Sequence, residues 1–171
     1  VDFLAELGVP AFKVPSGEIT NLPYLSRVAE KGKPMVVSTG MANLREVEQA
    51  LRAIESTGNE QVVVLHCVSN YPADPAAANL RAMNTMAVSF DVPVGYSDHT
   101  PGIEVALAAV ALGACVLEKH FTVDRNLPGP DQVASLEPHE LEAMVTGTRR
   151  VESFLGDGRK TPTASEAGTA A

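Results

Sequence analysis

Five short apolar runs punctuate the chain at fairly even intervals: AFKV at 11–14, PMVVS at 34–38, QVVVLHC at 61–67, VPVGYS at 92–97 and CVLEKHF at 115–121. They are rich in β-branched residues and lack polar alternation, as strands covered on both faces do. Between them, apolar positions recur at three- and four-residue spacing, which predicts helices over 22–29, 43–54, 80–88, 103–112 and 137–154. In the second of these, Leu44, Val47, Ala50, Leu51 and Ile54 share one stripe; in the last, Leu141, Met144, Val145, Thr148, Val151 and Leu155 do. Asn43 and the Glu137-Pro138 pair stand where helix starts need a cap and a first-turn proline. A further helical stretch, DFLAELG, opens the chain at 2–8.

Strand and helix alternating with short connections predict parallel βα units, in either a doubly wound sheet or a (β/α)8 barrel. The polar residues separate the two. Ser16 and Glu18, Ser38 and Thr39, Ser69 and Tyr71, Ser97 and His99, and His120 each follow a different strand. A doubly wound sheet gathers its site at one crevice, whereas a barrel collects it from all strand ends around one mouth. No GxGxxG or GxxxxGK[ST] stretch argues for a nucleotide crevice. The expected fold class is therefore α/β, a partial (β/α)8 TIM barrel of about five parallel strands spanning 1–155. Beyond that, GDGRKTPTASEAGTAA at 156–171 has no apolar period and reads as a linker toward a further domain.

Of 171 residues, 45% are hydrophobic and 20% charged, enough apolar material for one sizeable core. No run of about 18 apolar residues suggests a membrane span, and no leader with a cleavage site opens the chain. It begins on Val1 inside a helical pattern and reads as an excerpt of a longer chain. The net charge of −8 argues against nucleic acid or an anionic membrane as partner. An anionic substrate would need local positive charge, from a few lysines or a metal ion. Cys67 and Cys115 border strands and read as small apolar filler of a reducing, cytoplasmic setting; a disulfide or a nucleophile is the alternative.

His99 and His120 lie one βα unit apart. If their strands are neighbours, the strand ends sit about 5 Å apart and the two imidazoles can share a divalent ion. Two loop-end histidines satisfied by hydrogen bonds are the plainer alternative. The two-residue strand period puts Val116, Glu118 and His120 on one face, so Glu118 would point inward beneath the ion. Lys13, inside an apolar strand, is costly to bury unpaired and would reach the mouth of the barrel. There it would hold a phosphate or carboxylate, form a Schiff base, or snorkel to solvent. Turns at Ser16-Gly17-Glu18, Ser38-Thr39-Gly40 and Ser97-Asp98 offer hydroxyls and backbone N–H groups to an oxyanion. Glu18 is a candidate acid or base, an orienter of Lys13, or a first-turn charge. Tyr71 could pack on a sugar or acyl group, or be a half-buried core tyrosine. Asp131, in a Pro/Gly loop longer than a βα connection needs, could bind sugar hydroxyls or cap a turn. His66 reads as core and His139 as surface.

Taken together, FKVPSGEITN, VVSTGMA, VLHCVSNYP, PVGYSDHTPGIEVALAAVALGACVLEKHFT and LPGPDQVASLEP resemble the sialic acid synthases. These are the N-acetylneuraminate synthases and their relatives for legionaminic, pseudaminic and spore-coat sugars. The likeness runs from Phe12 to Glu166, and GYSDHT with EKHFT and GPD is specific in combination. It implies a (β/α)8 barrel that condenses phosphoenolpyruvate with N-acetylmannosamine and releases phosphate, using Mn²⁺ or Mg²⁺. By motif, His99 and His120 match the family's metal ligands. Lys13, Ser16, Ser38 and Ser97 match its phosphoenolpyruvate contacts, and Glu18 an acid/base carboxylate. Tyr71 and Asp131 match contacts to the acylamino sugar. Ser69 stands where some members have asparagine.

The resemblance also implies that these five strands are the fourth to eighth of the barrel. The first three strands, with a further glutamate and lysine, are missing. So is an antifreeze-like C-terminal domain that reaches across a homodimer with an arginine. Five strands cannot close a barrel, so the chain alone is expected to be inactive. The rival readings are the same chemistry on a legionaminic or pseudaminic precursor, a Schiff-base aldolase using Lys13, and an inactive fragment.

Overall fold

The computed structural model describes residues 1–166 and 168. The last residues of the expected linker, 167 and 169–171, lie outside the described residues. Five strands, β1 (Phe12–Val14), β2 (Met35–Ser38), β3 (Val62–Cys67), β4 (Val94–Asp98) and β5 (Leu117–Lys119), form one sheet in chain order. Every pairing is parallel, with Lys13 opposite Val36, Ser38 opposite Leu65, Cys67 opposite Ser97 and Ser97 opposite Glu118. Six helices accompany them: α1 (Asp2–Leu7), α2 (Leu22–Ala29), α3 (Leu44–Glu55), α4 (Arg81–Phe90), α5 (Glu104–Ala111) and α6 (Pro138–Leu155). All five strands and all six helices expected from the pattern are present, with ends moved by a few residues.

Helix boundaries follow from side chains that satisfy orphan backbone groups. Asn43 accepts from the Glu46 N–H while Glu46 accepts from the Asn43 N–H, closing a capping box at the start of α3. Glu137 and Glu140 do the same for α6, with Pro138 at the first helical position. Gly8, at φ 83°, ends α1 in the left-handed conformation that glycine adopts without strain.

The sheet curls. In a flat sheet β1 and β5 would lie about 19 Å apart, four strand spacings. Instead the Lys13 ammonium on β1 and the Glu118 carboxylate on β5 lie 3.4 Å apart across the concave face. The convex face carries Val14, Met35, Val37, Val64 and Tyr96, which pack against Leu25, Val28, Val47, Ile54, Met83, Met86 and Ala109 of the helices. A smaller cluster of Ala106, Leu136 and Met144 ties α5 to α6. That contact is close because α5 is largely alanine and Gly147 on α6 faces Leu107. A Cβ there would sit 2.9 Å from a Leu107 methyl.

With five strands, the interior face that a closed barrel would fill is open, and Val36 and Val63 on it are only half-buried. β1 and β5 each have one strand neighbour among the described residues. This partial TIM barrel leaves Lys13 34% exposed, so water offsets the desolvation that would make a fully interior lysine costly.

Candidate active site

Strand alternation sends Lys13, Ser38, Cys67, Ser97 and Glu118 to the concave face. His99 and His120 follow at the carboxyl ends of β4 and β5. Their ring centroids lie 5.5 Å apart, with the planes tilted at 52°. A ring nitrogen about 2.1 Å from a shared ion places two such centroids about 5 Å apart, so the pair fits one divalent cation. His99 Nδ1 lies 2.7 Å from the Val68 carbonyl oxygen. A carbonyl only accepts, so Nδ1 carries the proton and Nε2 keeps a free lone pair. Burial lowers the His99 pKa, the Val68 hydrogen bond opposes this, and the His120 charge lowers it further. The neutral, ligating form therefore dominates at neutral pH. Tyr71 closes this corner, tilted on the His99 ring at 4.2 Å and edge-on to His120 at 5.4 Å.

A second cluster lies deeper. The Ser97 hydroxyl donates to Glu118 Oε1 at 2.7 Å, and Lys13 Nζ lies 3.4 Å from the same oxygen while donating to the Val14 carbonyl. Lys13 thus pairs with Glu118 and not with Glu18. Glu18, half-buried in the turn after β1, accepts from Asn21 Nδ2 at 2.7 Å, so the sequence-based option that it orients Lys13 is corrected. The reason is geometric: the curl of the sheet lets the long Lys13 and Glu118 side chains meet across the concave face, whereas Glu18 is carried away by the turn.

Gly40 centres a third group. Its N–H donates to the Ser16 hydroxyl at 2.9 Å, and that hydroxyl also contacts Cys67 Sγ at 3.1 Å. A Cβ on Gly40 would sit 2.1 Å from Ser69 Oγ, 2.8 Å from Cys67 Sγ and 2.9 Å from Ser16 Oγ. The hydroxyls of Ser38 and Ser69 are buried with no hydrogen-bond partner among the described residues. Buried hydroxyls rarely stay unpaired, so these two are available to an oxyanion. Asp131 stands exposed at the turn before α6. The Tyr71 phenol pKa is raised, first by burial and then by the charges of Cys67, Asp131 and Glu118.

Some features escaped the sequence. Cys67, read as filler, touches the Ser16 hydroxyl in the site. Cys115, two residues before β5, is exposed, so the filler reading does not hold for it. Both cysteines are free. Lys119 is not among the candidates that the sequence points to, yet it forms a buried ion pair with Asp98 at 2.8 Å. Its alternation within EKH was the available signal. His66, expected in the core, faces the helices but is only half-buried, with Nε2 2.9 Å from the Ala78 carbonyl. His139, with Glu137 and Glu140, is the one grouping of three metal-type donors among the described residues. Its carboxylates are engaged by the α6 capping box and by Arg125.

A half-barrel whose polar side chains converge at the carboxyl ends of its strands has the build of a TIM-barrel enzyme. The comparisons narrow that class. The family model described as the NeuB family matches residues 1–160, and the chain belongs to this family. It is 52% identical over 168 residues to the N,N'-diacetyllegionaminic acid synthase of Campylobacter jejuni, covering 97% of this chain and 50% of that protein. It is 47% identical over 161 residues to the N-acetylneuraminate-9-phosphate synthase of Mus musculus, covering 94% and 45%. The crystal structure of an N-acetylneuraminic acid synthetase from Leptospira borgpetersenii matches with a TM-score of 0.92 at 42% identity, covering 98% of this chain and 59% of that one. The chain thus spans about half the length of the curated relatives it matches. No helix among the described residues is long and apolar enough to cross a membrane.

Proposed function

We propose that this chain forms the fourth to eighth strands of a synthase barrel that joins phosphoenolpyruvate to a 2-acylamino sugar. The net reaction takes phosphoenolpyruvate, an open-chain aldehyde sugar and water to a nonulosonic acid and inorganic phosphate. The observation that carries this reading is the convergence of Lys13, Ser97, Glu118, His99 and His120 on one concave mouth. The names of the matched relatives support the sugar-acid product.

In this reading Lys13 supplies the cation for the phosphate or carboxylate of phosphoenolpyruvate. Ser16, Ser38 and Ser69 offer hydroxyls to its oxygens, around a Gly40 backbone that leaves them room. Ser97 is tied to Glu118 and acts from there, by turning its hydroxyl or by holding that carboxylate still. Glu18 accepts a hydrogen bond through only one of its oxygens among the described residues, and is the proton-handling carboxylate. His99 Nε2 and the His120 ring would hold a divalent ion, Mn²⁺ or Mg²⁺, which when bound would polarise the sugar aldehyde as a Lewis acid. Tyr71 and Asp131 face the sugar. The missing strands and a dimer partner complete the site, in the cytoplasm where phosphoenolpyruvate is available. The chain by itself has negligible activity.

Two sugars compete. N-acetylmannosamine gives N-acetylneuraminate, and the precursor of N,N'-diacetyllegionaminic acid gives that acid. The 52% identity to a legionaminic acid synthase, against 42% to the N-acetylneuraminic acid synthetase of Leptospira borgpetersenii, favours the second. Phosphate release by the full-length protein, assayed with phosphoenolpyruvate and a panel of 2-acylamino sugars, tests the reading. Dependence on a divalent metal and on one sugar of the panel is expected. Metal-independent activity with borohydride-trapped pyruvate on Lys13 would replace it with an aldolase.

A further inference from the structure

Each of the two histidines directly follows a member of a buried ion pair. Asp98 precedes His99, Lys119 precedes His120, and Asp98 and Lys119 are register partners at the ends of β4 and β5. Their side chains are 1% and 3% exposed. Lys119 Nζ donates to Asp98 Oδ2 at 2.8 Å and also to the Thr100 carbonyl oxygen. Asp98 Oδ1 accepts from the Thr100 N–H at 2.9 Å and from its hydroxyl at 2.7 Å. The pair therefore grips the chain on both sides of His99 and anchors it to the residue before His120. It lies on the face opposite Ser97 and Glu118, as strand alternation requires.

A buried pair of charges is an expensive way to fill space, since apolar residues of similar size hold a fold at least as well. Its value lies in geometry. β5 has only three residues and one neighbouring strand; beyond it, the Leu136 N–H donates to the His120 carbonyl at 2.8 Å and the Thr122 N–H to the Leu136 carbonyl at 2.9 Å, so the backbone there is anchored toward α6 and the Asp98–Lys119 pair adds the tie toward β4. On its convex side the Lys119 contacts are the side-chain hydrogen bonds that tie that end to β4 among the described residues.

We propose that Asp98 and Lys119 are positioning residues that set the separation and aim of the His99 and His120 rings. The proposal rests on the reading of those rings as an ion site, and predicts that the ion's affinity depends on a pair that never touches it. Outer groups that orient ligands typically alter metal affinity roughly 10- to 100-fold.

The test uses the double variant Asp98→Asn with Lys119→Met, which leaves no unpaired buried charge, and Thr100→Val, which removes one arm of the network and keeps the ion pair. Two quantities are read in each: the NMR cross-peak between the metal-free His99 and His120 rings, and the dissociation constant for Mn²⁺ alone. The protein is expected to show the cross-peak. The double variant is expected to lose it and bind Mn²⁺ roughly 10- to 100-fold more weakly, and Thr100→Val to change both less, in the same direction. Should the double variant not fold, Thr100→Val alone decides. An unaltered cross-peak and unaltered Mn²⁺ affinity in the folded variants overturn the proposal. A cross-peak that disappears in the double variant, in a protein that never binds Mn²⁺, upholds the positioning role and removes the ion reading instead.

Discussion

The ammonium of Lys13 and the carboxylate of Glu118 lie 3.4 Å apart although they belong to the two outermost strands of the sheet. This contact spans the cup and places a lysine and a carboxylate together over its floor. Both groups are about one-third exposed or more, so solvent screens the pair and its removal leaves stability nearly unchanged. Catalysis is another matter. Lys13→Met in the full-length protein is expected to lower kcat/KM for phosphoenolpyruvate roughly a hundredfold or more, as loss of a preorganised charge-stabilising donor does. Steady-state kinetics beside a melting curve separates the two effects. A fall in melting temperature matching the activity loss would count against this role.

The His99 and His120 rings are expected to bind one Mn²⁺ per chain. His99→Ala and His120→Ala should each abolish measurable binding in a calorimetric titration, since two protein ligands leave no redundancy. Synthase activity that survives both substitutions unchanged would remove the ion from the mechanism.

Gly40 has no room for a methyl group, with Ser69, Cys67 and Ser16 closing on it from three sides. Gly40→Ala is expected to displace those side chains and cost about 1–3 kcal/mol of stability. The KM for phosphoenolpyruvate should rise as the hydroxyls splay. Chemical denaturation and kinetics measure both. Retention of wild-type KM would show that these hydroxyls do not touch the substrate.

Burial is the main cause of the lowered pKa values of His66 and His99. The folded state then binds fewer protons than the unfolded one just below the ordinary imidazole value of about 6.5. Stability is full above that pH and is lost as pH falls from it toward the folded-state values. A scan of melting temperature from pH 8 to pH 5 should show the decline beginning near that value, and His66→Gln should make it shallower. A flat profile contradicts the assignment.

Tyr96 is fully buried on the convex face, and its hydroxyl has no hydrogen-bond partner among the described residues. Burial is also the first cause of its raised pKa. Tyr96→Phe removes an unpaired polar group from the core and is expected to stabilise the protein by about 1 kcal/mol. A destabilised variant would mean that the hydroxyl is paired in solution.

Which parts of this were visible beforehand follows from the range of the forces involved. The strands and helices are set by periodicity and by local caps such as Asn43 and Glu137, which act within four residues and are read directly. The histidine pair was legible because adjacent parallel strands in chain order turn sequence spacing into spatial proximity. Lys13 with Glu118 was not, because their meeting depends on the curvature of the whole sheet, to which no single segment points. Cys67 against Ser16 and Lys119 under Asp98 were missed for a related reason. Each is an ordinary residue for its position until a distant strand supplies its partner. The likeness to the sialic acid synthases named the candidate residues, but it did not reveal that Ser97 is held by Glu118.

The order of the sheet has one more consequence. Because neighbours in space are also successive βα units along the chain, every strand pairing closes a loop of similar, modest length, and no step requires distant segments to find each other first. Assembly can advance unit by unit from either end. By the same logic, the exposed residues 126–131 around Asp131 belong to a connection separate from the turns that hold Ser16, Ser38 and Ser69, so substitutions there are expected to leave those turns in place.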